Sequence, residues 1–289
     1  MTIPGEILDE IRQIKPLSSS TIQLIDVVAD PEHDSRDVMR IVETDSVLTG
    51  ALLKTINSAA FGLANSITSV EKAISYLGDK MVLGISLGLC ASDVFDAPLP
   101  GYESPQGDLW RHSLQVGMAC RELAAYAHPA VCPSEAYTCG LLHDIGKVAV
   151  AMALRDRGPE MVETVDRGEA ADYLEAERRK IGFDHCETGM VLADHWRLPS
   201  PLSEAIACHH RPAEGPQMYR ALLYVVHLGD FMAQMTGAGT GTDDLQYMLD
   251  PEYKDYVDLS CGELDGVMLR VTQEYRRMIE ATANISEAA

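Results

Sequence analysis

Aromatic side chains are scarce in this sequence: four Phe, two Trp and eleven Tyr make up only 6% of its 289 residues. Hydrophobic content is nevertheless an ordinary 46%, so Leu, Ile, Val, Ala and Met must fill most of the core. Positive charge is scarce too, with 23 Lys and Arg against 44 Asp and Glu, a formal charge of −21. A field of that sign repels phosphodiester backbones and anionic lipid, so neither a nucleic-acid polymer nor a membrane is an expected partner. The seven cysteines (Cys90, Cys120, Cys132, Cys139, Cys186, Cys208, Cys261) are scattered, odd in number and never form a C-x-x-C pair. They fit a reducing cytosol better than a disulfide framework, and a cytoplasmic location is expected. The first six residues lack the basic and apolar regions of a signal peptide, and the longest apolar stretch, Val82 to Ala91, is too short and Gly-rich to span a bilayer. Regular period-2 alternation is rare and no internal repeat is evident, which leaves an all-α class.

The length allows one large or two smaller domains. The first hundred residues predict short helices: an i, i+3, i+4 stripe through Ile22, Leu24, Ile25, Val27 and Val28, a helix from Ser35 to Thr44, and a third capped by Asp45. Thr68-Ser69-Val70-Glu71 reads as a capping box, with its helix stopping at Gly78, and a further helix carries Met81 to Leu89. Pro and Gly cluster at 98–107, which predicts a connection between an N-terminal subdomain (1–97) and a second domain (108–289). There the predicted helices lengthen: Asp108 to about His128, Ser134 to about Leu154, charged segments between Pro159 and Lys180, Asp184 to about Trp196, Ser200 to His210, Pro216 to Met235 and Glu263 to Ala283. Gly237 to Thr242 reads as a loop, without the strand–turn–helix setting of a nucleotide fingerprint.

What remains is histidine. Neutral imidazole offers a lone pair without a charge to desolvate, which makes it the commonest metal ligand near neutral pH. Gly140-Leu141-Leu142-His143-Asp144-Ile145-Gly146-Lys147 sets a polar trio in an apolar run, an arrangement that is costly unless the polar groups pair or bind something. On one continuous helix His143 and Lys147 would be i, i+4 neighbours, and Asp144 can bridge two cations through its two oxygens. Taken alone, the dipeptide reads equally as a buried His bonded to a neighbouring helix. Asp108 and His112 (i, i+4), His209-His210 before the turn Arg211-Pro212, and His227 and Asp230 (i, i+3) supply further donors, enough together for two first-row metals. His227 is assigned to the core rather than to the centre. Trp110 and Trp196 sit beside apolar stripes, Asn57 suits a helix exit, and Arg211 suits a solvated helix C-terminus better than a phosphate site.

The order His112, His143-Asp144, Asp230 resembles the four-ligand signature of the HD superfamily of metal-dependent phosphohydrolases. His185 and His209-His210 look like the additional ligands of its binuclear HD-GYP branch, and Asp108 stands where that branch has a carboxylate one turn before the first His. The chain differs from that branch in following His209-His210-Arg211-Pro212 with Ala213-Glu214-Gly215-Pro216 rather than Gly-Tyr-Pro. In the first half, Ile41–Leu48, Asn57–Gly62 and Ile67–Gly78 are similar to the HDOD (HD-related output domain) family, as is Gly182–Gly189 in the second, so that the likeness covers about Ile7 to Asp230.

The resemblance implies an HD-domain-like helical bundle preceded by a smaller N-terminal helical subdomain, in a bacterial signalling protein. It implies a binuclear site of His112, His143, Asp144, His185, His209, His210 and Asp230, with Asp108 as a possible addition, and Asp144 and Lys147 as the catalytic pair. One ion is expected on His112, His143, Asp230 and Asp144, the other on His185, His209 and Asp144; His210 is an outer ligand or binds a third ion with Asp108. The expected ions are two divalent metals, iron first, with manganese, nickel or zinc as alternatives. The expected activity is hydrolysis of nucleotide or cyclic-nucleotide phosphoesters. The alternatives are a non-catalytic regulatory module or scaffold and a di-iron redox sensor, so the partner is a phosphate-containing small molecule or a signalling protein.

Overall fold

The computed structural model describes residues 3–30, 32–58, 61, 63, 65–154, 157–241 and 248–286. Among them the chain is built from helices, with only two isolated bridges, Leu99–Ser104 and Ala127–Val257, of β type. No single helix in the described residues is long and apolar enough to cross a membrane. None of the seven cysteines is in a disulfide.

The chain divides into two compact units, one of Met1–Pro16 with Ala91–Leu259 and the other of Leu17–Cys90 with Ser260–Ala289. This differs from a linear cut at 98–107, because each terminus groups with the unit that the other half of the chain builds. The smaller unit contains α2 (Ser19–Ala29), α3 (Ser35–Thr44), α4 (Ser46–Ile56), α5 (Val70–Leu77), the first part of α6 (Asp79–Phe95) and α15 (Cys261–Ser286). Side chains close its helix starts: Ser18 accepts from the Thr21 N–H, Asp34 from Arg36 and Asp45 from both Val47 and Leu48. The cap of α5 is Ser69, one residue later than the box starting at Thr68 predicts. α3 packs on α2, α4 and α5 over Leu24, Val38, Val42, Leu48, Leu52 and Ile56, all at most 1% exposed. Asn57 holds the exit from α4, its amide donating to the Leu53 and Ile67 carbonyls while its oxygen accepts from the Ile67 N–H. Part of the Asn57–Gly62 block (59, 60 and 62) lies outside the described residues, as does Thr242 of the glycine loop.

The larger unit contains α1 (Gly5–Gln13), α7 (Asp108–Leu123), α8 (Pro133–Leu142), α9 (Lys147–Leu154), α10 (Gly158–Asp166), α11 (Tyr173–Ile181), α12 (His185–His195), α13 (Ser200–Cys208) and α14 (Arg220–Met235). α14 is apolar nearly all round and is buried accordingly, from Ala221 to Asp230 without interruption, against α7 and α8. Gly140 and Gly229 permit that approach, since a Cβ on either would lie 2.7 Å from the Cys120 sulfur. α1 has no counterpart among the helices predicted from the sequence. Its apolar Ile7 and Ile11 pack within this unit, where α1 meets α9 and α12, but its N-cap Pro4 carries no capping side chain to announce it.

A second difference lies at the centre of the unit. The sequence predicts one helix from Ser134 to about Leu154, whereas α8 stops at Leu142 and α9 starts at Lys147. The four residues between form a tight turn closed by Ile145 N–H to Leu142 O (3.1 Å) and Lys147 N–H to Asp144 O (3.0 Å). Gly146 presses this turn against the first turn of α12, where a Cβ would overlap the His185 carbonyl and the Gly189 backbone. Residues 138–147, the turn with the helix ends that flank it, are buried without interruption, so the apolar run passes through the break without registering it.

Candidate metal centre

His143 and Asp144 stand on the α8–α9 turn and face side chains from α7, α12, α13 and α14. His112 comes from the first half of α7, Asp230 from the middle of α14, and His185 opens α12. That helix starts there because Asp184 caps it in a reciprocal box with Glu187. His209 and His210 follow the end of α13. His112, His143, Asp144, His185, His209 and Asp230 are each at most 2% exposed, while His210 is half-buried.

The imidazoles are oriented alike. Nδ1 of His112 lies 2.7 Å from the Ala238 carbonyl, that of His143 2.8 Å from Gly140 O and that of His209 3.1 Å from Ile206 O. Nδ1 of His185 lies 2.9 Å from the Glu177 carboxylate. Each of these acceptors requires the hydrogen on Nδ1, which leaves Nε2 as a bare lone pair. All four lone pairs converge on Asp144. Its Oδ2 is 3.4 Å from His112 Nε2 and 3.5 Å from His143 Nε2; its Oδ1 is 3.4 Å from His209 Nε2 and 3.6 Å from His185 Nε2. Asp230 Oδ1 adds to the first pair, 3.2 Å from His112 and 3.7 Å from His143, and His210 Nε2 adds to the second, 2.9 Å from His185 Nε2. Lys147 donates to Asp144 Oδ2 at 2.5 Å and to Thr240 Oγ1 at 2.8 Å.

Lone pairs facing lone pairs in a buried site demand a positive charge between them. Asp144 Oδ1 and His209 Nε2 are buried without a hydrogen-bond partner, and Asp144 Oδ2 has the Lys147 ammonium against it. In the metal-free chain protons compete to fill that role. Burial opposes a charge on His112, yet Asp144 and Asp230 raise its pKa to about 10; burial likewise opposes His209, which Cys186 and Asp144 raise to about 10. Burial lowers His143, and burial with the charges of His209 and His185 holds His210 well below its usual value. Burial would raise the Asp144 and Asp230 carboxyls, but Lys147 and the histidines hold Asp144, and His112 and His143 hold Asp230, well below the usual range. Buried nitrogen and oxygen donors of this kind suit divalent cations. Three ligand-competent groups emerge among the described residues: His112 with His143 and Asp144, His143 with His209 and Asp230, and His185 with Cys186, His209 and His210.

Seven of the eight metal candidates therefore meet in one place, together with Lys147. Asp108 does not join them: it lies at the start of α7 in an ion pair with Arg111. His227 bonds through Nδ1 to the His209 carbonyl (2.7 Å) and accepts the Asp250 N–H (2.9 Å), supporting the backbone behind His209. Trp196 is core, and Trp110 packs on Phe95 at 5.8 Å between ring centroids. Sequence reasoning missed Glu177, which is fully buried behind His185, and Cys186, whose sulfur lies 4.0 Å from His209 Nδ1. Glu177 sits in a charged run, Leu174-Glu175-Ala176-Glu177-Arg178-Arg179-Lys180, where only the alternation with buried Leu174 and Ala176 hints at an inward face.

Known proteins resemble this chain in sequence and fold at low identity. The chain is 25% identical over 225 residues to a protein of Treponema pallidum (strain Nichols) that is named only as uncharacterized, covering 78% of this chain and 43% of that one. It is 27% identical over 217 residues to the cyclic di-GMP phosphodiesterase CdgJ of Vibrio cholerae serotype O1, covering 68% of this chain and 48% of that one. The chain thus spans less than half the length of these curated relatives. Among solved structures, an HDOD domain protein with unknown function from Geobacter sulfurreducens superposes with a TM-score of 0.65 at 23% identity, over 98% of this chain and 94% of that one, which shows a shared fold. The profile of the HDOD domain matches residues 14–212, more than half of the sequence, and the chain belongs to the HDOD family.

Proposed function

We propose that the centre holds two divalent cations and that the protein is a metal-dependent hydrolase of phosphoesters, of the nucleotide or cyclic-nucleotide class. The observation that carries the reading is the division of Asp144: Oδ2 faces His112 and His143 beside Lys147, and Oδ1, which has no hydrogen-bond partner, faces His185 and His209. One cation would take His112, His143, Asp230 and Asp144 Oδ2; the other would take His185, His209, His210 and Asp144 Oδ1. Bound there, the pair would supply Lewis acidity toward a phosphoryl oxygen and lower the pKa of a water. Asp144 then orients both halves as the shared ligand. Lys147, buried and already donating to Asp144 and Thr240, places a point charge where a phosphate oxygen would approach. Asp144, Asp230 and Glu177 bring three negative charges against one on Lys147, so two divalent cations leave the buried centre net positive, as a phosphate anion requires. The phosphodiesterase activity named for the Vibrio relative supports the substrate class. Iron is the first expectation for the metal, ahead of manganese, nickel and zinc.

A second reading rests on burial. Only His210 among the histidine donors is half-buried, and a closed centre of this kind also suits a redox-sensing or purely structural role. Metal analysis of the purified chain with turnover of a phosphomonoester and phosphodiester panel separates the readings. The hydrolase reading expects about two metals per chain and turnover abolished in Asp144→Ala together with most of the metal. Metal bound without turnover of any ester under Mn or Fe supports the sensor or scaffold, and metal content unchanged in Asp144→Ala removes the site assignment.

A further inference from the structure

The four central histidines are not held alike. His112, His143 and His209 give their Nδ1–H to neutral backbone carbonyls, whereas His185 gives it to a carboxylate. Glu177 is fully buried on α11; its Oε2 also accepts the His185 backbone N–H at 2.8 Å, and its Oε1 accepts the Tyr102 hydroxyl at 2.6 Å. Tyr102 is itself fully buried and stacked on Tyr173, so the carboxylate is clamped from both sides. The three cations that follow it on α11 are engaged elsewhere: Arg178 with Asp184, Arg179 with Glu175 and Lys180 with Glu160. A fully buried carboxylate with an imidazole as its charge partner is costly to keep unless that imidazole carries positive character.

The two halves of the centre also differ in direct charge. The half built on His112 and His143 has Asp230 besides its share of Asp144, while the half built on His185, His209 and His210 has its share of Asp144 and the Cys186 sulfur but no second carboxylate among its ligand-competent groups. We propose that Glu177 is a positioning residue that completes this second half, supplying through His185 the negative charge that Asp230 supplies directly to the first. It fixes the His185 ring and tautomer and raises the donor strength of its Nε2. The two cation positions are thereby built to comparable affinity by different means. The inference rests on the two-cation reading above and deepens it.

Titration of the metal-stripped full chain with Mn2+, followed by calorimetry and electron paramagnetic resonance, tests it. The wild type is expected to bind two Mn2+ with a spin-coupled signal. Glu177→Gln, which keeps the shape and one acceptor but not the charge, is expected to weaken one equivalent by roughly 10- to 100-fold and leave the other unchanged, so that the coupled signal is lost at low Mn2+. Tyr102→Phe keeps the charge and removes one clamp; it is expected to weaken the same equivalent less. Two equivalents of wild-type affinity in Glu177→Gln, or equal weakening of both, overturns the inference while leaving the two-cation reading intact. A wild type that binds no Mn2+, Fe2+ or Zn2+ overturns that reading and the inference with it. Thermal melting of the metal-free variants shows whether they fold; if Glu177→Gln does not, Tyr102→Phe decides, with a loss confined to one equivalent as the supporting result and no loss or an equal loss as the overturning one.

Discussion

At the residue scale, Lys147 supplies positive charge to Asp144 in the metal-free chain. In the metal-free chain the Lys147 ammonium is the one fixed cation against Asp144 Oδ2, at 2.5 Å in a site where both side chains are at most 2% exposed. Removing one member of such a pair leaves an uncompensated buried charge, which costs about 3–5 kcal/mol. Lys147→Met is therefore expected to destabilise the stripped protein by that order, and the metal-loaded protein by clearly less, because bound cations compensate Asp144 in its place. Chemical denaturation with and without Mn2+ checks this, and equal losses in both states would contradict the arrangement. The residues of the centre were legible in the sequence where their type was unusual for the setting: His143 and Asp144 in an apolar run, and His209-His210 before a proline turn. Glu177 was not, because a Glu among charged neighbours gives no local sign that it is the one turned inward. Cys186 was not either: it is buried, and its sulfur lies 4.0 Å from His209 Nδ1.

At the scale of elements, the α8–α9 turn matters most, since it presents His143 and Asp144 from a break rather than from a helix face. Its geometry depends on Gly146, which has no room for a Cβ against the backbone of α12. Backbone cannot swing aside as a flexible side chain does, so Gly146→Ala is expected to cost about 1–3 kcal/mol and to shift Asp144 relative to His185. The checks are a lower denaturation midpoint and weakened Mn2+ binding together; a variant with native midpoint and native binding would show that the turn tolerates displacement. Helix starts marked by a capping side chain were readable in advance, as at Asp45 and Asp184. The cap at Ser69 was displaced by one residue because Thr and Ser in succession offer the same hydroxyl. α1 and the break between α8 and α9 were not readable, since the first lacks a capping side chain and the second has apolar residues on both sides of it.

At the scale of the whole molecule, the chain carries −21 overall and collects buried carboxylates at one point, so its stability must depend on pH and on metal together. Asp144 and Asp230 have folded pKa values well below 3.8; in the metal-free chain they stabilise the fold above that value, and the contribution is lost as pH falls below it. His112 and His209, raised from 6.5 to about 10, stabilise fully below 6.5 and lose that contribution as pH rises toward 10. The stripped protein is thus expected to be most stable between about pH 4 and 6.5 and to melt at falling temperature between about pH 7 and 9. Metal ligands must be deprotonated, so cation binding strengthens over the same range and the loaded protein is expected to hold its melting temperature there. Differential scanning calorimetry across that range, with chelator or with excess Mn2+, checks both arms. A stripped protein that gains stability from pH 7 to 9 would show that the histidines are not the protonated partners of Asp144 and Asp230.

The sequence by itself determined the all-α class, most helix positions and the identity and order of the candidate donors, because caps, periodicity and residue type act within a few positions along the chain. The ring of donors as a centre was decided only by tertiary structure. His112 is oriented by a carbonyl 126 positions away at Ala238, and the unpartnered Oδ1 of Asp144 exists only because α7, the α8–α9 turn, α12, α13 and α14 pack to one point. Contacts made across such separations leave no local pattern, since they are selected by burial and close approach after the helices have formed.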